Sequence, residues 1–158
     1  MLTNTIKRQI LTAISGQTTQ QQSSWRTNLD ITVGWYLGLS LTTPAADGTN
    51  FTEPAAASGY ERIWISAATT APGPRYPFEF DPEDPNTVRN KYEIHFNVAT
   101  ANWGVITHVG IFSQSGVLLA YGHLVDDEGH DTTIEITTGH IPTIVKGQAK
   151  ITIDVELF

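Results

Sequence analysis

The stretch VITHVGIFSQSGVLLAYGHLV, residues 105–125, decides the fold of this chain. Its two halves, Val105 to Ser113 and Val117 to Val125, are rich in β-branched and aromatic residues, which favour strands. Ser115-Gly116 separates the halves, and a short connection containing glycine is typical of a tight β-hairpin. The stretch therefore predicts two antiparallel strands joined by a tight turn.

Segments on either side of this hairpin alternate between apolar and polar residues, which is the period of a strand with one buried face. Thr32 to Ser40 places Val33, Trp35, Leu37 and Leu39 on one face, and Lys91 to Val98 directs Tyr92, Ile94, Phe96 and Val98 inward. Further strands are predicted at Tyr60 to Ser66, Thr132 to Thr138 and Ala149 to Leu157, with turns at Asp126 to Asp131 and Lys146-Gly147. The predicted fold is mainly β, an antiparallel β-sandwich of about seven to eight strands.

The N-terminal segment has a different period. Leu2, Ile6, Ile10 and Ile14 recur at helical spacing, Thr3 or Asn4 can cap the helix, and Gly16 can end it. A helix this short is not stable alone in water, so it must dock on its own domain or on a neighbour. Gln17 to Ser24 is a polar linker. We therefore divide the chain into a docking arm, residues 1–24, and a β-sandwich domain, residues 25–158.

Between the predicted strands lies a long proline-rich segment, Thr69 to Asn90. Proline cannot donate to a β-ladder, so we expect this segment to be a contact loop rather than a central strand. Tyr76, Phe78 and Phe80 alternate within it, and Trp25 follows the polar linker. Exposed aromatic side chains of this kind suit a subunit contact or a sugar-binding platform. The residues predicted to contact partners are therefore Leu2, Ile6, Ile10, Ile14, Trp25, Tyr76, Phe78 and Phe80, whereas Trp35, Trp64 and Trp103 are predicted to lie in the core.

Composition excludes several classes of function. Charged residues make up 16% of the chain, compared with roughly 25% in typical soluble domains, and a sparsely charged surface is buried against partners at little cost. The net charge of -7 argues against binding to nucleic acid or anionic lipid. Cysteine is absent, which excludes disulfides and thiolate sites. We identify neither a membrane-spanning stretch nor a signal peptide, and expect synthesis in the cytoplasm.

Candidate chemistry is sparse. His123, Asp126, Asp127, Glu128, His130 and Asp131 form a cluster with ligand-like composition, but its spacing matches no EF-hand or zinc motif. A solvated hairpin tip is the better interpretation, so we predict no metal and no cofactor. His108 is interpreted as a hydrogen-bonded structural histidine. The sequence contains no nucleophile elbow and no glycine-rich phosphate loop, and we predict that the protein is not an enzyme.

Two stretches carry a resemblance to a known family. The first contains Tyr36-Leu-Gly-Leu-Ser, Thr43-Pro44, Asp47-Gly48, Glu53-Pro54 and Gly59-Tyr60-Glu-Arg62, and the second contains Trp103-Gly-Val-Ile-Thr-His-Val-Gly-Ile-Phe112 and Gly116-Val-Leu-Leu-Ala-Tyr-Gly122. Together they resemble small tailed-bacteriophage proteins known as tail-fibre or minor tail proteins. The match covers roughly residues 31 to 66 and 92 to 124, under half of the chain. In the same residues, an ion pair between Glu53 and Arg62 could tie the long loop after the first strand to the sheet.

The resemblance implies a structural component of the virion that is made in the host bacterial cytoplasm, has no known catalytic residues, and binds copies of itself and other virion proteins. It places the protein in the tail, as fibre or baseplate, with capsid decoration as the nearest variant. The alternative from another class of function is a carbohydrate-binding domain that recognises a host surface glycan. A metal-dependent hydrolase would require His123, His130 and a carboxylate to converge in a pocket.

Overall fold

The structure is a computed structural model that describes residue 3 and residues 34–66, 78–84 and 87–152. Within these residues it contains eleven short strands and one 3-10 helix, Ala56–Ser58. The strands are β1 (Gly34–Ser40), β2 (Ile63–Ser66), β3 (Phe78–Phe80), β4 (Thr87–Asn90), β5 (Ile94–His95), β6 (Gly104–Ile106), β7 (His108–Phe112), β8 (Leu118–His123), β9 (Ile134–Ile136), β10 (Thr143–Ile144) and β11 (Lys150–Thr152). The predicted N-terminal helix lies outside the described residues, apart from Thr3.

All strand pairings between these elements are antiparallel. The largest sheet has four strands in the order β2-β1-β7-β8. A three-stranded sheet has the order β11-β4-β3, and two-stranded ladders join β5 to β10 and β6 to β9. The predicted mainly β, antiparallel class is therefore confirmed.

The hairpin predicted around Ser115-Gly116 is present as β7 and β8. The backbone N–H of Gly116 donates to the carbonyl of Ser113 at 2.9 Å, and that of Ser113 donates to the carbonyl of Val117 at 2.9 Å. Gly116 has a φ of 85°, a left-handed conformation that glycine adopts without a steric penalty. The turn residues therefore close the hairpin as the sequence predicts.

The main core lies between the four-stranded sheet and the two short ladders. Leu37, Leu39 and Val109 contribute from the four-stranded sheet, and each is at most 1% exposed. Residues from the other elements complete the same cluster, namely Ile94, Phe96, Trp103, Ile106, Ile136 and Ile144. These side chains form one apolar layer, and their burial is the main source of the stability of this fold.

Two stretches predicted as single strands are shorter or divided. Tyr92 and Val98 were predicted to face inward, but they are 54% and 48% exposed, and only Ile94 and His95 pair in the middle of that stretch. The strand predicted from Val105 to Ser113 is divided at Thr107, because β6 pairs with β9 while β7 pairs with β1 and β8. The backbone N–H of Thr107 donates to Ser40 at 2.9 Å where the chain passes between the sheets.

The proline-rich segment contains two strands, which the sequence did not predict. β3 and β4 lie within residues 69–90, and β4 is the central strand between β3 and β11. The expectation that this segment cannot supply a central strand was wrong. Its prolines, at positions 72, 74, 77, 82 and 85, all fall outside residues 78–80 and 87–90. Because β4 itself lacks proline, its backbone N–H groups remain available for ladder hydrogen bonds.

Candidate functional site

The residues predicted to contact partners fall mostly outside the described part of the chain. Leu2, Ile6, Ile10, Ile14, Trp25 and Tyr76 lie there, so their contact role stays a prediction. Phe78 and Phe80 belong to β3, where their backbones pair with Asn90 and Val88 of β4. The structure therefore places one predicted contact segment at the edge of the three-stranded sheet.

Thr3, the only described residue of the N-terminal arm, lies against the body of the protein. Its backbone N–H donates to the carbonyl of Leu119 in β8 at 3.1 Å, and the residue is 1% exposed. Its methyl carbon would lie 3.5 Å from a β-carbon built at Gly48. Thr3 thus docks on β8, the last strand of the four-stranded sheet.

A group of exposed apolar side chains surrounds the β5–β10 ladder. Ile141 is 57% exposed and Val145 is 40% exposed, and they flank β10 on either side. Tyr92 and Val98 flank β5, which pairs with β10 through His95 and Thr143. The backbone N–H of Phe96 donates to the carbonyl of Pro142 at 2.9 Å, which extends the pairing beyond the two strands. We call Tyr92, Val98, Ile141 and Val145 the ribbon patch; all four are exposed and flank the strands of one ladder, and exposed apolar surface can mark interaction sites.

The predicted tie between Glu53 and Arg62 is present and is part of a larger network. Both guanidinium contacts of Arg62 with the Glu53 carboxylate are short, at 2.8 and 2.7 Å, and the Tyr60 hydroxyl donates to Glu53 at 2.7 Å. The guanidinium carbon of Arg62 also lies 3.5 Å from the centre of the Phe112 ring. This network holds the loop after β1 on the outer face of the four-stranded sheet.

The network also determines the charge of its members. Burial alone would raise the pKa of Glu53, but hydrogen bonds from Arg62 and Tyr60 outweigh burial and hold that pKa below its ordinary value of 4.5. Burial, followed by the neighbouring Glu53 carboxylate, raises the pKa of the Tyr60 hydroxyl. Glu53 is therefore ionised and Tyr60 protonated at neutral pH, which is the arrangement the hydrogen bonds require.

A cavity of about 450 Å³ lies between β8, the acidic turn 126–131 and the sheet that contains β4. Carboxylates from Asp81, Glu83, Asp84 and Asp131 line it, together with His108, His123, Tyr121 and Lys150. The Lys150 ammonium lies 2.7 Å from the Asp81 carboxylate. Hydrogen bonds from Lys150 and from the backbone N–H of Glu83 hold the pKa of Asp81 below its ordinary 3.8. The lining is therefore predominantly negative, with its lysine already paired.

Two histidines of this cavity face each other from adjacent strands. His108 of β7 pairs in register with His123 of β8, and their ring centroids lie 4.4 Å apart with an interplanar angle of 57°. His108 is 6% exposed. Burial, and secondarily the neighbouring His123, lowers the pKa of His108 to about 4, so its imidazole is neutral at neutral pH. The prediction that His108 is hydrogen-bonded is confirmed by its contact with the Thr107 hydroxyl at 2.8 Å.

The acidic turn is organised by its own backbone. One carboxylate oxygen of Asp126 accepts the backbone N–H groups of Glu128 and His130 at 2.9 and 2.8 Å, and such bonds hold the pKa of Asp126 below its ordinary value. The His130 ring lies 3.5 Å from both Asp126 and Glu128, whereas His123 lies 3.8 Å from Asp131. Within the described residues, no three His, Asp or Glu side chains are grouped to hold a metal ion. His123 and His130 therefore contact different carboxylates, and the convergence that a hydrolase would need is not seen among these residues.

The aromatic residues predicted to lie in the core do so to different degrees. Trp103 is 4% exposed, packs edge-on against Tyr60 at 5.2 Å, and donates its indole N–H to the carbonyl of Ser58 at 2.8 Å. Trp35 and Trp64 are only half-buried. Among the aromatic residues whose side-chain burial the structure describes, Tyr92 of the ribbon patch is the one that is more than half exposed.

None of the helices in the described part of the chain has the length and apolar character needed to cross a membrane.

In a comparison with known proteins, the chain matches a class of structural proteins, the fibre proteins of tailed phages. The matching family is the podophage GP4 fiber I protein gp80, and its model covers residues 26–152. Because the match spans most of the sequence, the chain belongs to this family. A search of curated proteins finds no match.

Proposed function

We propose that this protein is a structural subunit of the tail fibre that works by binding neighbouring subunits through the ribbon patch. Membership of a fibre family supports a structural role in the virion. The observation that carries the proposal is that four exposed apolar side chains flank the two strands of one ladder. The partner is another protein subunit of the fibre, including further copies of this chain.

The chemistry of the patch favours a protein partner. Ile141 and Val145 alternate with the buried Pro142 and Ile144, so they project from the outer face of the ladder. Thr143 and His95 lie between them and are hydrogen-bonded to each other at 3.0 Å. Apolar side chains around an internally satisfied polar pair can be buried with little desolvation cost. Each of these side chains would add stability to a contact in proportion to its remaining exposed area.

The N-terminal arm is a second candidate contact. Deleting residues 1–24 is expected to leave the β domain folded and to abolish assembly if the arm connects neighbouring subunits. Circular dichroism would report folding, and sedimentation would report assembly. Normal assembly of the truncated chain would show that the arm is not a connector.

The patch can be tested with a matched pair of substitutions in the full chain. Val145→Asp places a charge in the ribbon patch, whereas Val105→Asp places the same charge on β6, at a valine that is 45% exposed and outside the patch. An unpaired charge buried in an interface costs more than about 1.4 kcal/mol, so Val145→Asp should reduce incorporation into particles by about tenfold or more. Val105→Asp should assemble like the natural chain.

The measurement is the amount of each variant in purified particles after complementation, with the thermal unfolding of each isolated variant as the folding control. Equal incorporation of both variants would contradict a contact through the patch.

A glycan screen on the purified protein tests the alternative function, carbohydrate binding. Strong glycan binding that Tyr92→Ala removes, together with normal incorporation of Val145→Asp, would assign the patch to carbohydrate recognition instead.

A further inference from the structure

We propose that His108 is a pH-sensitive switch that keeps the base of the β7–β8 hairpin closed while its imidazole is neutral. The base is the part of the hairpin where β7 begins and β8 ends, and it opens locally when the imidazole binds a proton. His108 is the first residue of β7, and the strand pairings place it between Ser40 at the end of β1 and His123 at the end of β8. A charge at this position therefore acts on three strands at once.

The ring of His108 lies where a positive charge is unfavourable. The residue is 6% exposed, and its ring centroid lies 4.4 Å from that of His123. Burial disfavours the charged form of an imidazole, because the protein interior solvates an ion less well than water does. In agreement with this geometry, burial is the main cause that lowers the pKa of His108 from 6.5 to about 4. The closed hairpin thus keeps the ring neutral at pH values where a ring in contact with water is already charged.

The ionisable groups around the ring do not remove this penalty. Those that border the same cavity come from β8, the acidic turn, the segment between β3 and β4, and β11, and they are Tyr121, His123, Asp131, Asp81, Glu83, Asp84 and Lys150. The Asp131 carboxylate favours the charged form of His108, but burial outweighs this attraction. The Asp81 carboxylate is paired with the Lys150 ammonium at 2.7 Å. Burial therefore remains the dominant influence on the charge of His108.

Backbone hydrogen bonds close the hairpin beside His108. The N–H of Leu124 donates to the carbonyl of Thr107 at 3.0 Å, and the N–H of Thr132 donates to the carbonyl of Leu124 at 2.8 Å. Strand ends of this kind open at a lower free energy than the whole protein unfolds. Once the base has opened, His108 reaches water and binds a proton at its ordinary pKa of 6.5. Acid would thus loosen the acidic turn and open one wall of the cavity without unfolding the rest of the sheet.

The sign of the pH dependence follows from the difference in proton binding between the two states. Above pH 6.5 the ring is neutral in both states, so the closed state keeps its full stability. As the pH falls from 6.5 to about 4, the open state binds a proton that the closed state does not bind, and each unit of pH raises the ratio of open to closed molecules by about tenfold. The Glu53 and Asp81 carboxylates have pKa values below their ordinary 4.5 and 3.8, so their contributions are lost only at lower pH. The interval above about pH 5 therefore reports on His108.

The first experiment is hydrogen exchange of the full chain at about pH 7 and about pH 5, with each rate corrected for the intrinsic exchange of that amide. Opening at the Leu124 amide should increase by about tenfold or more at the lower pH. The Ser113 amide, at the turn of the same hairpin, should keep its protection. An unchanged Leu124 amide, or an equal increase at Ser113, would overturn the proposal, since the second result indicates global unfolding.

A pair of substitutions assigns the effect to one ring. His108→Gln has no group that can bind the proton, so the pH dependence of opening at Leu124 should disappear. The matched control is His140→Gln, because His140 also bonds a threonine hydroxyl but is exposed and lies outside the cavity. This control should keep the pH dependence of the natural chain. Persistence of the dependence in His108→Gln would overturn the proposal.

A second measurement keeps the proposal testable if His108→Gln does not fold. An NMR titration of the imidazole signals in the natural chain measures the pKa of the His108 ring directly. The switch requires a value below about 5.5, because a smaller difference from 6.5 would change the opening by less than tenfold. A higher value would overturn the proposal.

Discussion

On one face of the four-stranded sheet, Leu37 and Leu39 pack into a continuous apolar core and are almost completely buried. On the opposite face of the same strands, Gly38 and Gly110 carry no side chain, and a loop covers them with the Phe51 ring and the Glu53 carboxylate. The first face is stabilised by apolar burial and tolerates only small changes of volume. The second face is stabilised by close approach of a loop and by a polar network. Substitutions on this face are therefore expected to destabilise the fold by steric collision or by loss of charge.

The largest effect is expected on the core face. Leu37→Ala should lower the free energy of unfolding by about 2–5 kcal/mol, because it removes a fully buried side chain and leaves a cavity. Urea unfolding followed by circular dichroism measures this loss. Ile141→Ala, at a side chain that is 57% exposed, is the control and should change stability by no more than about 0.5 kcal/mol. A small effect at Leu37 would mean that this face can collapse around the cavity.

The loop face should respond to added volume instead. A β-carbon at Gly110 would lie 2.5 Å from the Phe51 ring and 2.8 Å from Leu118. Gly110→Ala should therefore destabilise the protein by about 1–3 kcal/mol. Combining it with Phe51→Ala removes the ring that collides, so the double variant should be more stable than the sum of the two single effects predicts. Simple additivity in this double-mutant cycle would show that the ring does not limit the space.

The polar network of the loop face should make stability depend on pH. The folded-state pKa of Glu53 lies below its ordinary 4.5, so its carboxylate stabilises the fold above that pH, and this contribution is lost as the pH falls through the lower, folded-state value. Glu53→Gln should cost about 1–2 kcal/mol at neutral pH. The difference between the two chains should then decrease in acid. Unfolding at a series of pH values checks this, and a difference that is constant from neutral to acid would contradict it.

The smallest effect is expected away from both faces, in the acidic turn. The His130 ring is 70% exposed and contacts Asp126 and Glu128 only at 3.5 Å. Exposed pairs of this kind contribute little, so His130→Ala should change the free energy of unfolding by less than about 0.5 kcal/mol. A larger loss in thermal unfolding would mean that the turn is part of the folding core rather than a solvated hairpin tip.

Several features of both faces were predictable from the sequence. The alternation in residues 34–40 identified Leu37 and Leu39 as buried neighbours, and Ser115-Gly116 identified the hairpin. The Glu53–Arg62 pair was also predictable, because both residues flank one loop. The ends of the predicted strand 91–98 were not predictable, since alternation does not reveal where a neighbouring strand stops. The β-strands in the proline-rich segment were not predictable from its overall proline content, because the prolines lie between the strands and not within them.

The pairing of the two histidines could not have been predicted from local pattern. The tight turn alone pairs Phe112 with Leu118, and continuing that register would place His108 opposite Gly122. The register changes by one residue between Ile111 and Phe112, so that His108 lies opposite His123 instead. Because side chains alternate faces along a strand, this single-residue change decides which residues share the cavity.

The amino-acid sequence by itself determined that the chain forms antiparallel strands, where its tightest turn lies, and that Leu37, Leu39, Ile94 and Phe96 enter the core. These properties follow from periodicity and turn chemistry, which act between residues close in the chain. Only the tertiary structure decided that β4 is a central strand, that the apolar side chains flanking β5 and β10 stay exposed, and that His108 meets His123. Those outcomes depend on register and on contacts between distant segments, which are fixed when the sheets pack together.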